Sequence, residues 1–342
     1  MGIFFLAFGI PILVASLNIH PLTLRYDDAG PFQGLSAPEQ QALLLAAGDA
    51  GVSYSLEAQV EYTMQPPVYV VYELGSFYQN YRRYVRSYDP TLMHDGLREG
   101  GPLPVSACLP FQYADGAADA NAPFQGAINP CGQIAHSLFN DTFALSLSAA
   151  QGSSGQALAL DQSDLAWPSD SDRLYGPVPA ENFNDDPASR GGGTISTVLN
   201  QAQAWMVWQR PGGKPNVQKP YAQINEVLPA GSWIRLSVTA RYDTYAWQGQ
   251  KSVTVTTNSW MGGRNLFLGV VYVAAGGVAW LAGLALFLAH DLNLAKRRRY
   301  ADLGELSWVK NAAKMDFQGR TSTERLRGES GVPISALAGS KN

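Results

Sequence analysis

Residues Leu266 to Ala289 form a run of 24 residues without a charge. As an α-helix the run extends roughly 36 Å, enough to cross a hydrocarbon core of about 30 Å with some tilt. Buried helices of soluble proteins seldom run this long without a charge, so the run is read as a membrane span rather than a core helix. A chain with such a span must divide its remaining residues between two sides of a bilayer. No other feature constrains the fold as much.

Just beyond the run stand Lys296, Arg297, Arg298 and Arg299. Basic residues mark the cytoplasmic flank of a span. That places the tail 291–342 in the cytoplasm and residues 20–263 outside or in a lumen. Residues 20–263 carry 13 Lys and Arg against 22 Asp and Glu; from 290 onward the balance is 10 against 6. The whole chain has a net charge of −4, with 15% charged residues and no basic patch on a nucleic-acid module, so no nucleic-acid partner is expected.

A second uncharged run, "MGIFFLAFGIPILVASLNI", opens the chain at 1–19. It admits two readings. It is barely long enough for a retained span, in which Pro11 would be tolerated. It also resembles a cleaved signal peptide, with small residues at Val14-Ala15-Ser16, but it lacks the usual basic start. Residue chemistry alone leaves both open. Domain organisation follows from the two runs: helix 1–19, ectodomain 20–263, helix 264–290 and tail 291–342.

The two cysteines, Cys108 and Cys131, both fall on the oxidising side. A bridge there would contribute about 3 kcal/mol through loop closure; two free thiols are the alternative. Asn140-Asp141-Thr142 is the one glycosylation sequon and lies in the same compartment.

Within the ectodomain, "LTLRYDD" has a short alternation. "SAPEQQALLLAAG" predicts a helix with Ser36 as cap, Pro38 in its first turn and Gly48 at its end. "PPVYVVYEL", 66–74, predicts a strand. In "SFYQNYRRYVRSYD", Phe77, Tyr81, Tyr84 and Tyr88 recur at helical spacing. The bland account is an aromatic stripe packed on a sheet, with Arg82, Arg83 and Arg86 solvated. The sharper one has these arginines meeting an acidic partner or lipid phosphate. Residues 89–130 and 151–193 read as long loops. Between 232 and 247, Ile234, Leu236, Val238, Ala240 and Tyr242 alternate with polar residues, predicting a half-buried strand. "KSVTVTT", 251–257, is expected to be its returning partner. The ectodomain is thus mainly antiparallel β with short helices.

Catalytic chemistry is thin. His20, His94, His136 and His290 are scattered and never at metal-ligand spacing. "RGGGT" lacks the Lys-Ser/Thr ending of a phosphate-binding loop. Asp170/Asp172 and Asp185/Asp186 as acid/base pairs are weaker readings than solvated loop aspartates. No cofactor or metal is expected. The apolar runs are more informative. Gly269, Gly276 and Gly283 repeat every seven residues, as do Gly2, Gly9 and Ser16. Such stripes let another helix approach closely, either a partner's or the chain's own.

Taken in order, "ASLNI", "FYQNYRRYVRS", "PCGQIAHSLFNDTF", "AWPSD" and "NSWMGGRNLFLGVVY" resemble the signature blocks of one family. It is the non-catalytic beta subunit of type-four P-type ATPase lipid flippases, the cell-division-cycle-fifty/ligand-effect-modulator family. The blocks span most of the chain, and "YADLGELSW" is similar to tails of fungal members. The resemblance implies a membrane protein with two transmembrane helices flanking a large, β-rich, glycosylated ectodomain, with both ends cytoplasmic. The first run is then a retained anchor.

It also implies a catalytic P-type ATPase as partner, escorted out of the endoplasmic reticulum, and phospholipid as the transported cargo. The family acts at endoplasmic reticulum, Golgi, endosome and plasma membrane. By position, Cys108 and Cys131 match a bridged pair, Asn140 a glycosylated asparagine, and Trp260, Met261, Gly262 and Gly263 the motif entering the second span. A tight turn at Gly262-Gly263 with Trp260 at the interface is the expected physical role. Gly9, Ser16, Gly269, Gly276 and Gly283 are expected to pack against partner helices, and Arg82, Arg83 and Arg86 to meet partner or lipid. Many relatives carry a second cysteine-rich stretch where this chain has "LSAPEQQALLLAAG". The alternative function is a stand-alone adhesion or receptor ectodomain on a membrane hairpin; a membrane-bound hydrolase is a distant third.

Overall fold

The computed structural model describes residues 2–97, 101, 103–113, 126–178, 192–193, 195 and 198–291. Lys296–Arg299, the tail and Asp185/Asp186 lie outside these residues. Chain contacts define two units: Ile12–Leu266, and a helical unit formed by residues to Pro11 together with Phe267 onward.

The larger unit is built from eight strands. They are β1 (Leu22–Arg25), β2 (Val52–Gln59), β3 (Val68–Leu74), β4 (Thr142–Ser148), β5 (Gln156–Ala157), β6 (Val217–Ile224), β7 (Trp233–Ala240) and β8 (Lys251–Thr257). Of these, β3, β7 and β8 alternate clearly between inward and outward residues. The eight form two four-stranded antiparallel sheets, ordered β1-β8-β3-β6 and β2-β7-β4-β5. Val68, Val70, Tyr72 and Leu74 of one sheet share a single core with Ile234, Leu236, Val238 and Ala240 of the other. Each sheet thus buries one face against a common interior, the usual solution for two alternating sheets.

The helices are α1 (Gly2–Leu17), α2 (Ala37–Ala47), α3 (Arg82–Val85), α4 (Pro90–Asp95), α5 (Gln133–His136), α6 (Gln203–Gln209) and the long α7 (Leu266–Asp291). In α2 the Ser36 backbone N–H donates to Glu39 Oε2 at 2.8 Å, completing a capping box, and Gly48 ends the helix. On α6, Trp205 and Trp208 are fully buried, and Trp208 Nε1 donates to Ile134 O at 2.9 Å, tying α6 to α5.

Two expectations are corrected. Strands β7 and β8 are not a hairpin; they belong to different sheets. The reason lies just past Ala240, where the Asp141 carboxylate accepts the backbone N–H groups of Arg241 and Tyr242 at 2.5 and 2.7 Å. These bonds pull the chain off β7, and Tyr242 and Tyr245 then turn into the core. The tyrosine stripe of 76–89 is likewise not one helix, since α3 holds only Arg82–Val85. Gln79 is buried and accepts Gly212 N–H at 2.9 Å, so a tertiary bond sets the backbone before α3. After it, Asp89 starts α4 by accepting the N–H groups of Thr91 and Leu92. Phe77 and Tyr84 pack inward, while Tyr81 and Tyr88 are exposed.

The inward row of β8 reads Lys251, Val253, Val255. Lys251 therefore occupies a core position, opposite Leu74. Its ammonium donates to Asp141 Oδ2 at 3.0 Å and Tyr242 O at 2.8 Å, and both charged side chains are wholly buried. Tyr26 Oη donates to the same Oδ2 at 2.7 Å. Asp141 thus receives four donors. A buried ion pair survives desolvation only with this degree of satisfaction. Next to it, Asp27 accepts Lys251 N–H at 2.9 Å and pairs with Arg25 at 2.7 Å.

Cys108 and Cys131 form a disulfide inside a separate small core with Leu92, Leu97 and Ala127. Beside it the His136 ring lies 3.6 Å from that of Phe111, and burial pushes its pKa down to about 4.

Two outcomes follow. Lys251→Met strands the Asp141 charge, and should cost about 3–5 kcal/mol in chemical denaturation of the detergent-solubilised chain. A loss below about 1 kcal/mol would contradict a tightly held pair. His136 binds its proton less well folded than unfolded, so stability should fall as pH drops from about 6.5 and level off near pH 4. His136→Gln should flatten that part of the curve; an unchanged slope would assign it to other groups.

Candidate functional site

In the helical unit, small residues set the approach of α1 to α7. A Cβ on Gly9 would lie 2.8 Å from Tyr272 Cβ and 2.9 Å from Val273 N. One on Gly276 would lie 2.9 Å from Leu6 Cγ and 3.0 Å from Gly2 O. Phe5 adds an edge contact with Tyr272, the rings 5.7 Å apart. Gly9 and Gly276 therefore serve the chain's own helix pair. Gly269 is also buried, whereas Gly283 is exposed with nothing near it. Around Gly283, Val278, Leu286 and Phe287 are exposed too. Helix α7 is apolar from Leu266 to His290, 25 residues, long enough to cross a membrane; α1 has 16.

Ser16, in the larger unit, is buried and donates from Oγ to Asn265 O at 3.0 Å. The turn ahead of α7 closes between Ser259 and Gly262, whose backbones exchange two hydrogen bonds of 2.8 Å. Gly262 has φ +93°, where a side chain is strained, and so sits at the tight position; Gly263 does not. Trp260 at the tip is 71% exposed, and Met261 is exposed beside it.

The sequon straddles the core's edge. Asn140 is half-buried, Asp141 buried and Thr142 exposed. Arg241 reaches back over it, donating to Asn140 O at 3.4 Å and Thr142 Oγ1 at 3.3 Å. An open cleft of about 460 Å³ adjoins Asn140, lined also by Tyr72, Phe139, Tyr221 and Arg241.

The "AWPSD" block has a structural task. Asp170 is buried and takes a two-pronged bond from Arg210, at 2.7 and 2.5 Å. The Arg210 guanidinium lies 4.0 Å over the Trp167 ring. Asp170 is therefore committed to a cation, and Asp172 is contacted by Ser171. Neither forms an acid/base pair. His20 stacks on Tyr62 at 3.8 Å and His94 contacts Asp95 at 2.7 Å. Among the described residues no three His, Cys, Asp or Glu side chains converge as a metal site would need.

Arg82, Arg83 and Arg86 are exposed and line one side of a second groove. The sequence pattern overlooked two cation sites, Lys251 and Arg210. For Lys251 a signal existed, a lysine in the apolar register of β8. For Arg210 none did, because its partner lies 40 residues away.

The profile of the LEM3 (ligand-effect modulator 3) family / CDC50 family matches residues 12–297. The chain is similar to ALA-interacting subunit 3 of Arabidopsis thaliana, 32% identical over 91% of this chain and 83% of that one. It is also similar to cell cycle control protein 50A of Bos taurus, 29% identical over 84% and 80%. Cell cycle control protein 50B of Homo sapiens is 34% identical over 66% of this chain and 67% of its own length. By a match that spans both sheets and the apolar helix α7, the chain belongs to the LEM3/CDC50 family, the accessory subunits of P-type ATPase flippases.

Proposed function

We propose that the chain is the non-catalytic beta subunit of a phospholipid-translocating P-type ATPase, needed for that pump's assembly, exit from the endoplasmic reticulum and activity. The observation that carries this reading is the family match over 12–297, with a relative named as an ALA-interacting subunit. In this reading α1 and α7 both span the membrane, α1 at the thin limit. The sheets lie on the lumenal or extracellular side, and the tail lies in the cytoplasm. The complex resides in endoplasmic reticulum, Golgi, endosome or plasma membrane. Three features of this chain suit that role. Gly9 and Gly276 hold its own helix pair together. Gly283 leaves a small-residue face open for a pump helix. Trp260, exposed on a tight turn, suits the membrane interface.

Such a subunit acts by binding some states of the pump's cycle more tightly than others. Only that difference moves an equilibrium. Binding also stabilises the pump by mass action, which accounts for escort out of the endoplasmic reticulum.

The test is co-expression of the tagged chain with a catalytic P-type ATPase of its own cell, followed by extraction in mild detergent. The ATPase should co-purify, and uptake of labelled phospholipid should drop when the gene is removed. Intact uptake together with absent co-purification would refute the reading. A second pair of variants separates the two helix roles. Gly276→Leu collides with Leu6 and Gly2, so the chain itself should accumulate poorly. Gly283→Leu should leave accumulation normal and lower ATPase capture several-fold; equal capture would remove α7's open face from the interface.

A further inference from the structure

A groove of about 770 Å³ runs between two fixed walls of the larger unit. One wall carries Arg82, Arg83 and Arg86; the other carries Ala107, Leu109 and Gln133. All three guanidinium groups are exposed, and none makes a hydrogen bond or ion pair with another described residue. Elsewhere in the unit, Arg25, Arg210 and Arg235 each hold a carboxylate, from Asp27, Asp170 and Glu57.

The walls are held together. Ala107 and Leu109 flank Cys108, and Gln133 follows Cys131 closely, so the disulfide pins the far side. The near side is joined to it at Ser87, whose Oγ accepts Gln133 N–H at 2.8 Å. Gly132 lies so close that an added Cβ would sit 2.1 Å from Ser87 O. In the same segment as the arginines, Tyr78 and Tyr81 are each 59% exposed and Tyr88 37%. Exposed tyrosines beside arginines are the composition of binding hot spots.

We infer that this groove and the exposed tyrosines of its arginine segment dock an acidic extracytoplasmic segment of the catalytic subunit. The inference rests on the accessory-subunit reading above. Charge argues for the occupant. Residues 20–263 carry 22 acidic against 13 basic side chains, so an acidic partner is repelled by most of this domain and drawn to the groove. That contrast selects orientation and speeds encounter. The geometry favours polypeptide over a small anion. The guanidinium groups are exposed and none of the described lining residues is buried, so a lone phosphate or headgroup would be weakly held. A protein segment lying over Tyr78, Tyr81 and Tyr88 would exclude water and strengthen each charge contact.

The experiment uses the full chain co-expressed with its ATPase. Arg82→Glu/Arg83→Glu/Arg86→Glu should lower capture tenfold or more, and the triple Gln variant should lower it less. Wild-type capture should weaken as salt rises. Protease resistance and non-reducing mobility report whether each variant is folded. Should the Glu variant misfold, the Gln variant and the salt series decide. Folded variants that capture the pump as well as wild type at every salt concentration overturn the groove and leave the subunit reading intact. A wild-type chain that captures no pump overturns both. Binding to phosphatidylserine/phosphatidylcholine vesicles is measured in parallel. Loss of vesicle binding by the Glu variant with unchanged capture assigns the groove to lipid and overturns the inference.

Discussion

The larger unit closes around one buried charge contact, Lys251 with Asp141. Two ions in a dry interior are stable only if nearly every polar atom is met. Here the carboxylate gathers two backbone N–H groups, a tyrosine hydroxyl and the ammonium. The partners come from the loop after β1, from the start of β4, from the end of β7 and from β8. Both sheets are therefore linked through a single pair of side chains. Hydrophobic alternation brings two sheets face to face; this contact specifies which strands share a sheet and where the chain crosses over. The same interior pushes the Tyr26 and Tyr242 hydroxyls to raised pKa values through burial, so they stay neutral donors.

A second, smaller device organises the arginine-bearing side. The disulfide, the Ser87–Gln133 bond and the close seat of Gly132 join a loop to the arginine segment. That region has too little apolar mass to hold itself; its separate core is Leu92, Leu97, Ala127 and the two cysteines. Covalent closure replaces packing, as in small disulfide-held domains.

Several of these features were legible before any coordinates. The alternation of β3, β7 and β8 and the capping signals of α2 are local, and local physics decided them. The apolar length of α7 followed from hydrophobicity, and the Cys108–Cys131 bridge expected of the pair is present. What was not legible is what tertiary bonds decide. The separation of β7 from β8 depends on Asp141, 100 residues before Arg241. The break in the tyrosine stripe depends on Gln79 reaching Gly212. The heptad glycines showed that a helix would approach, but not whose; for Gly9 and Gly276 it is the chain's own. The Arg210–Asp170 pair left no pattern, since its two residues are 40 positions apart in the chain.

The position of Asp141 inside the sequon has a consequence for biosynthesis. A folded chain half-hides Asn140 and clamps its neighbour with a cation encoded 110 residues later. During synthesis Asn140 is made well ahead of β8. Until that strand arrives, the carboxylate has no counter-ion and the two sheets cannot seal. Any modifying enzyme would find Asn140 fully open only in this early interval, and the late arrival of one lysine marks its end.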